Sequence, residues 1–213
     1  QDWINTLSLG TNYTDIAGNT GTDNTSLNYM VDEIHPWVDN FTLSDTALKA
    51  GDNATVTLVF SEPVDNFSSS NITASTLDNG NASGTLATMN SDDNITWEGT
   101  FTPAADTEDA SNTLSLDNSW TDTVGNSGTD NTTSNYEVET KRPYASSFTL
   151  SDTDTSYTYG SDIVLKAGDN STVTLVFSEV VTGFDSDDDI TLDNGALPAM
   201  TSADNITWTG TFT

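Results

Sequence analysis

The sequence predicts an all-β chain of tandem sandwiches, each made of two packed sheets. Three observations carry this: a long internal repeat, hydrophobic alternation with a period of two, and turn-forming clusters between the alternating runs. The repeat comes first because it sets the architecture. Asn5-Thr6-Leu7-Ser8-Leu9 returns as Asn112-Thr113-Leu114-Ser115-Leu116, 107 residues later. In the same register Thr14 to Asn19 aligns with Thr121 to Asn126, Gly21 to Thr25 with Gly128 to Thr132, and Asn28-Tyr29 with Asn135-Tyr136. Phe41 to Thr46 returns as Phe148 to Thr153, followed by an insertion of about ten residues around Tyr157 and Tyr159. Leu48 to Asn53 then reappears as Leu165 to Asn170, Val56 to Glu62 as Val173 to Glu179, and Asp93 to Trp97 as Asp204 to Trp208.

Within the repeat, alternate residues are apolar, as a strand with one buried face requires. In chain order the inward sets are Phe41 and Leu43; Val56, Leu58 and Phe60; Ile95, Trp97 and Phe101; Leu114 and Leu116; Tyr136 and Val138. Gly51-Asp52-Asn53, Asp78-Asn79-Gly80 and Gly125-Asn126 supply turns between them. No segment has a helical period. About seven short strands in ~105 residues describe an immunoglobulin-like β-sandwich. Trp97 and Trp208 alternate with inward positions and so belong to the core rather than to a ligand platform.

Pro36 and Pro143 each follow a strand-like run and break it, which marks a linker. Three segments result. Residues 1–33 are the C-terminal third of a preceding module, its sixth and seventh strands (F and G). Residues 34–141 are a complete module. Residues 142–213 are the N-terminal two-thirds of a following one, strands A to E.

Composition narrows the function. The 213 residues carry 33 acidic and 4 basic side chains, a formal charge of −29. Lys49, Lys141, Arg142 and Lys166 cannot form the basic patch that nucleic acid or an anionic membrane surface requires. There is no cysteine, which excludes disulfides, thiolate zinc sites and a cysteine nucleophile. Five Trp, six Tyr and eight Phe are too many for a disordered acidic tail. The apolar runs are too short to span a membrane, and Gln1 does not open a signal peptide.

The sandwich topology gathers acids at one end of the complete module. If Phe41–Leu43 lies in the first strand, the run Val56–Phe60 returns to the module's N-terminal end, as does the strand holding Leu114 and Leu116. The loop at Glu62 and Asp65, and the loop with Asp122, Asn126 and Asp130, therefore meet the incoming linker Asp32-Glu33-Ile34-His35. Converging carboxylates repel by about 4 kcal/mol per close pair at an effective dielectric near 20. Calcium, which takes 6–8 oxygen ligands, would compensate them. The acids are 26 Asp against 7 Glu, and Asp is both the shorter ligand and the better turn former. The same residues also read as solvated turn aspartates.

At these motifs the chain resembles the bacterial Ig-like (BIg) repeats found in many copies in giant RTX-type adhesins and surface filament proteins. The resemblance rests on Phe41 to Thr46, Leu48 to Asp52, Val59 to Val64, Trp97 to Pro103 and Asp122 to Asn126. It implies a non-enzymatic extender module with calcium at the linkers stiffening a rod. It carries ligand roles onto Glu62, Asp122 and Asn126, onto Asp15, Asn19 and Glu179 in the partial modules, and onto Asp32 and Glu139 at the linker position. Glu33-Ile34-His35-Pro36 and Thr140-Lys141-Arg142-Pro143 depart from the family's usual Thr and Ala-Pro continuation.

Weaker signals remain. Sequons recur at equivalent positions: Asn24 and Asn131, Asn53 and Asn170, Asn94 and Asn205. They are acceptors if the source glycosylates its surface proteins. Asp185-Ser186-Asp187-Asp188-Asp189 reads as a solvated loop, because its counterpart Ser68-Ser69-Ser70-Asn71 has no carboxylate. The function expected is an extracellular structural extender whose partners are neighbouring modules, with other cells or surfaces reached through a distal domain. The alternative is a filament subunit that completes its neighbour's split module by strand exchange.

Overall fold

The computed structural model describes residues 2–77, 81–152, 158–159 and 162–213. The chain forms two compact units, Gln1–Lys141 and Arg142–Thr213. The first two expected segments thus share one unit. The turn at Asp78-Asn79-Gly80 and the insertion residue Tyr157 lie outside the described residues.

The first unit begins with short strands β1 (Asp2–Asn5), β2 (Ser8–Leu9), β3 (Asn24–Thr25) and β4 (Tyr29–Val31). β1 pairs antiparallel with β4, and β2 with β3, so residues 2–31 are one long hairpin. Then follow β5 (Val38–Leu43), β6 (Ala47–Lys49), β7 (Ala54–Phe60), β8 (Val64–Asp65), β9 (Ile72–Ala74), β10 (Gly84–Leu86) and β11 (Thr96–Pro103). β12 (Glu108–Asn112), β13 (Leu114–Leu116), β14 (Thr121–Asp122), β15 (Asn131–Thr132) and β16 (Tyr136–Glu139) complete the unit.

One sheet has the order β10-β11-β7-β5. Facing it are β12-β16-β6 and β15-β13-β9, with β14-β8 at one end. The expected seven strands appear as twelve short ones, β5 to β16, because several are interrupted. The first leaves β7 after Leu43 and rejoins the opposite layer as β6, parallel to β16. The sixth shifts register between Asp109 and Asn112.

The core lies between these layers, and alternation places it there. β7 reads buried at Ala54, Val56, Leu58 and Phe60, with its polar residues facing out. Phe101, Leu114, Leu116, Trp120, Tyr136 and Val138 close over it from the other strands. Trp97 is half-buried and packs edge-on against Phe67 at 4.9 Å. Gly128 lies so close beneath the Trp120 ring that a Cβ there would overlap it. Gly128→Ala should therefore destabilise the unit by roughly 1–3 kcal/mol, the usual cost of overpacking, read as a lower urea midpoint.

The second unit contains β17 (Ala145–Asp152), β18 (Thr158–Tyr159), β19 (Asp162–Ile163), β20 (Ser171–Phe177), α1 (Ser186–Asp189) and β21 (Thr207–Phe212). Its main sheet, β17-β20-β21, repeats the β5-β7-β11 pairing. Val173 and Leu175 are buried with Leu197 and Met200, and Trp208 packs against Phe184 at 4.9 Å, as Trp97 does against Phe67. The Asp185 cluster, expected as a loop, closes into the single turn α1. Asp185 Oδ1 accepts from Asp187 N, and buried Ser186 accepts from Met200 N. Its carboxylates remain exposed.

Candidate metal centre

Three segments meet at the end of the complete module that receives the linker. β7 delivers the turn Ser61-Glu62-Pro63. β8 and β14 pair there, Thr121 opposite Asp65 and Asp122 opposite Val64. The linker then lies across the loop that follows β14. Asn126 Nδ2 donates to the carbonyls of Asp32 (3.2 Å) and Ile34 (3.1 Å), and His35 Nδ1 lies 2.9 Å from the Ser127 carbonyl.

This docking brings one carboxylate oxygen each of Asp32, Glu62 and Asp122 within 4.8 Å of one another. Among the described residues it is the only such group of three metal-ligating side chains. At that separation each pair of charges repels by about 3 kcal/mol with an effective dielectric near 20. All the donors are hard oxygens, the set a hard divalent cation prefers. Beside the group opens a cleft of about 530 Å³, walled by Trp3, Met30, Val31 and Val124.

Asp122 is the buried member, 2% exposed. Its Oδ1 accepts backbone N–H bonds from Val124 (2.9 Å), Gly125 (2.7 Å) and Asn126 (2.9 Å). Wrapping the chain this tightly requires a positive φ, and Gly125 supplies it at +99°. Oδ2 accepts from Asn126 Nδ2 at 2.7 Å. Burial is the largest influence on this carboxyl and raises its pKa. The side-chain and backbone bonds from Asn126, Val124 and Gly125 outweigh burial together, so the pKa falls below the ordinary 3.8. Oδ1 is saturated by three donors, which leaves Oδ2 as the oxygen Asp122 can offer a cation. Asn126 spends its amide nitrogen on the linker and could coordinate only through its own oxygen.

The other expected ligands lie elsewhere. Asp65 neighbours the site in sequence, but it alternates with buried Val64 and faces solvent. Asp130 is exposed just before β15. Asp15 and Asn19 repeat the Asp122 turn, with Asn19 N at 2.8 Å from Asp15 Oδ1 and Asn19 Nδ2 at 2.7 Å from Oδ2, but they are exposed. The same bonds hold the Asp15 carboxyl below its ordinary pKa, the Asn19 side chain contributing most. Glu139 is half-buried in β16 beside Glu108 and Lys49, and Glu179 is half-buried in the second unit. Of the sequon residues, Asn24, Asn53, Asn94, Asn170 and Asn205 are exposed and Asn131 is half-buried. The apolar cleft was not anticipated. Its one signal is Tyr29-Met30-Val31, three consecutive apolar residues where a one-faced strand would alternate.

A two-layer sandwich whose linker is bound to its own end loops defines a structural module of a tandem array. The chain belongs to the bacterial Ig-like domain family, whose model matches residues 32–138 and again 148–213. Among solved structures it is similar to the Escherichia coli adhesin FdeC, with 12% identity, TM-score 0.41, and coverage of 92% of this chain and 60% of that one. It is also similar to the N-terminal part of the bacterial S-layer protein SbsC, with 16% identity, TM-score 0.34, and coverage of 68% and 41%. The chain thus spans less than two-thirds of either structure. No curated protein sequence matches it. No helix among the described residues is long and apolar enough to cross a membrane.

Proposed function

We propose that this chain is a non-enzymatic extender segment of an extracellular adhesin or surface fibre, with calcium stiffening the joint between successive modules. The observation that carries the reading is the meeting of Asp32, from the segment that enters the module, with Glu62 and Asp122 of the module's own end loops. A cation bound to all three would cross-link linker to sandwich and resist bending. The excess of 33 acids over 4 bases supports a counter-ion of this kind. Extracellular modules bind calcium with Kd of about 10⁻⁴–10⁻³ M.

The test compares thermal unfolding in calcium and in chelator. At roughly ten times Kd, binding adds about 1.4 kcal/mol, which raises Tm on the order of 5 °C for a unit of this size. Glu62→Gln combined with Asp122→Asn should remove the calcium response. An identical Tm with calcium and with chelator would refute the cation.

A further inference from the structure

We propose a further function for the complete module: its parallel β6–β16 ladder is a mechanical clamp, loaded in shear when the two flanking linkers are pulled apart. The inference rests on the extender reading, in which tension passes along the chain from module to module.

The path of the force follows from how the chain enters and leaves residues 34–141. At entry, Trp37 is latched to the end of β7. Trp37 N donates to Ser61 Oγ at 3.0 Å, and Ser61 N donates to the Trp37 carbonyl at 2.9 Å. At exit, Thr140 is latched to the corner that follows β11. Thr140 N donates to the Thr107 carbonyl at 2.7 Å, and its Oγ1 donates to the Ala104 carbonyl at 2.6 Å and accepts from Thr107 N at 3.0 Å. β7 and β11 are antiparallel neighbours, so the points where they finish lie at opposite ends of the sandwich. Entry and exit are therefore at opposite ends as well.

Tension on the linkers acts on the first and last strands in opposite senses. β16 runs toward the exit, and β6 is parallel to it. Pulling at entry drags β6 backward along its own axis through β5, while pulling at exit drags β16 forward. β5 is sheared against β7 in the same way, but β7 does not lead to a linker. Among the described residues, β6–β16 is the ladder that joins the segment after entry directly to the strand before exit.

Its three pairs are Ala47 with Glu137, Leu48 with Val138 and Lys49 with Glu139. Glu137 N donates to the Thr46 carbonyl at 2.8 Å. Bonds between the strands lie across the direction of pull, so they are strained together and must fail together. A ladder opened from one end loses them one at a time. The middle pair adds a second resistance. Leu48 and Val138 are both fully buried, so β6 cannot slide without drawing Leu48 out of the core. Force resistance is set by the barrier to unfolding rather than by the equilibrium free energy, and this geometry raises that barrier for one direction of pull only.

Single-molecule stretching of the full 213-residue chain tests the clamp. The chain has no cysteine, so two introduced thiols fix where force is applied. Glu33→Cys with Lys141→Cys pulls through entry and exit and loads β6–β16 in shear. Ala50→Cys with Lys141→Cys pulls at the one end where both strands finish and opens the ladder pair by pair. The first arrangement should need roughly threefold more force, the number of pairs loaded together. Glu137→Pro removes the amide that bonds Thr46 while leaving no buried side chain behind, since Glu137 is exposed. It should lower the force in the first arrangement more than Ile72→Ala does, a buried substitution in β9, outside the path of the force. Equal forces in the two arrangements would overturn the clamp, as would a Glu137→Pro force no lower than that of Ile72→Ala. All stretching is done in chelator, so failure here bears on the ladder alone, whereas an absent calcium response in thermal unfolding bears on the joint.

Discussion

Trp120→Ala is expected to destabilise the first unit by about 3–5 kcal/mol, the range for removing a large buried aromatic. The indole is fully buried and lies 4.4 Å from the Phe60 ring, which in turn meets Phe67 at 5.2 Å. Its Nε1 donates to the Asp117 carbonyl at 2.9 Å, and Gly128 N donates to the Trp120 carbonyl at 2.9 Å. The ring therefore joins the strand pair at β14 to the inner layer. Truncation opens a cavity whose glycine floor has no side chain to fill it. Because a domain of this kind is stable by only about 5–15 kcal/mol, the loss is a large part of the total. Urea unfolding followed by fluorescence measures it. Trp120→Phe, which keeps an aromatic ring and loses the Nε1 bond, should cost distinctly less; equal costs would show that packing is not the dominant contribution.

Asp122→Ala should cost about 3 kcal/mol, since hydrogen bonds to a charged acceptor contribute about 1.5–3 kcal/mol each and solvent replaces part of them here. The substitution leaves three backbone N–H groups without their acceptor and frees Asn126, whose amide holds the linker at Asp32 and Ile34. Faster amide exchange at Ile34 and His35 should accompany the drop in urea midpoint. Asp122→Asn is not neutral either. Its new amide nitrogen would face Asn126 Nδ2, donor against donor, unless Asn126 turned over and released the linker. Acid should reproduce the loss in the wild type. The folded-state pKa of Asp122 lies below 3.8. Its stabilising contribution is thus complete above the ordinary value and disappears as pH falls through the lower, folded one. A titration of unfolding free energy from pH 5 downward should fall less steeply in Asp122→Ala than in wild type; parallel curves would contradict the assignment.

Much of this was legible in the residues. Val56, Leu58 and Phe60 alternate with threonine and valine in a way that only a half-buried strand explains, and they form the centre of the core. The meeting of Glu62 and Asp122 with the linker followed from topology alone, because antiparallel strands return their loops to the same end. Asp65 and Asp130 were grouped with them because sequence proximity does not say which way a side chain points. On β8 the pleat turns Val64 inward and Asp65 outward. The parallel β6–β16 ladder had no legible signature: it joins backbone groups some ninety residues apart, and a backbone hydrogen bond leaves no mark on residue type.

From the residue order came the all-β class, the repeat, the inner face of each strand and the end of the module where acids collect. These depend on side-chain chemistry at short spacing, and that is written in the chain. Which three carboxylates come within reach of one cation, and whether an apolar face has an opposite layer, depends on distances between remote segments. Leu9 and Leu116 illustrate the difference: the same residue in the same local motif is exposed in one place and buried in the other, because burial belongs to what packs against a strand and not to the strand.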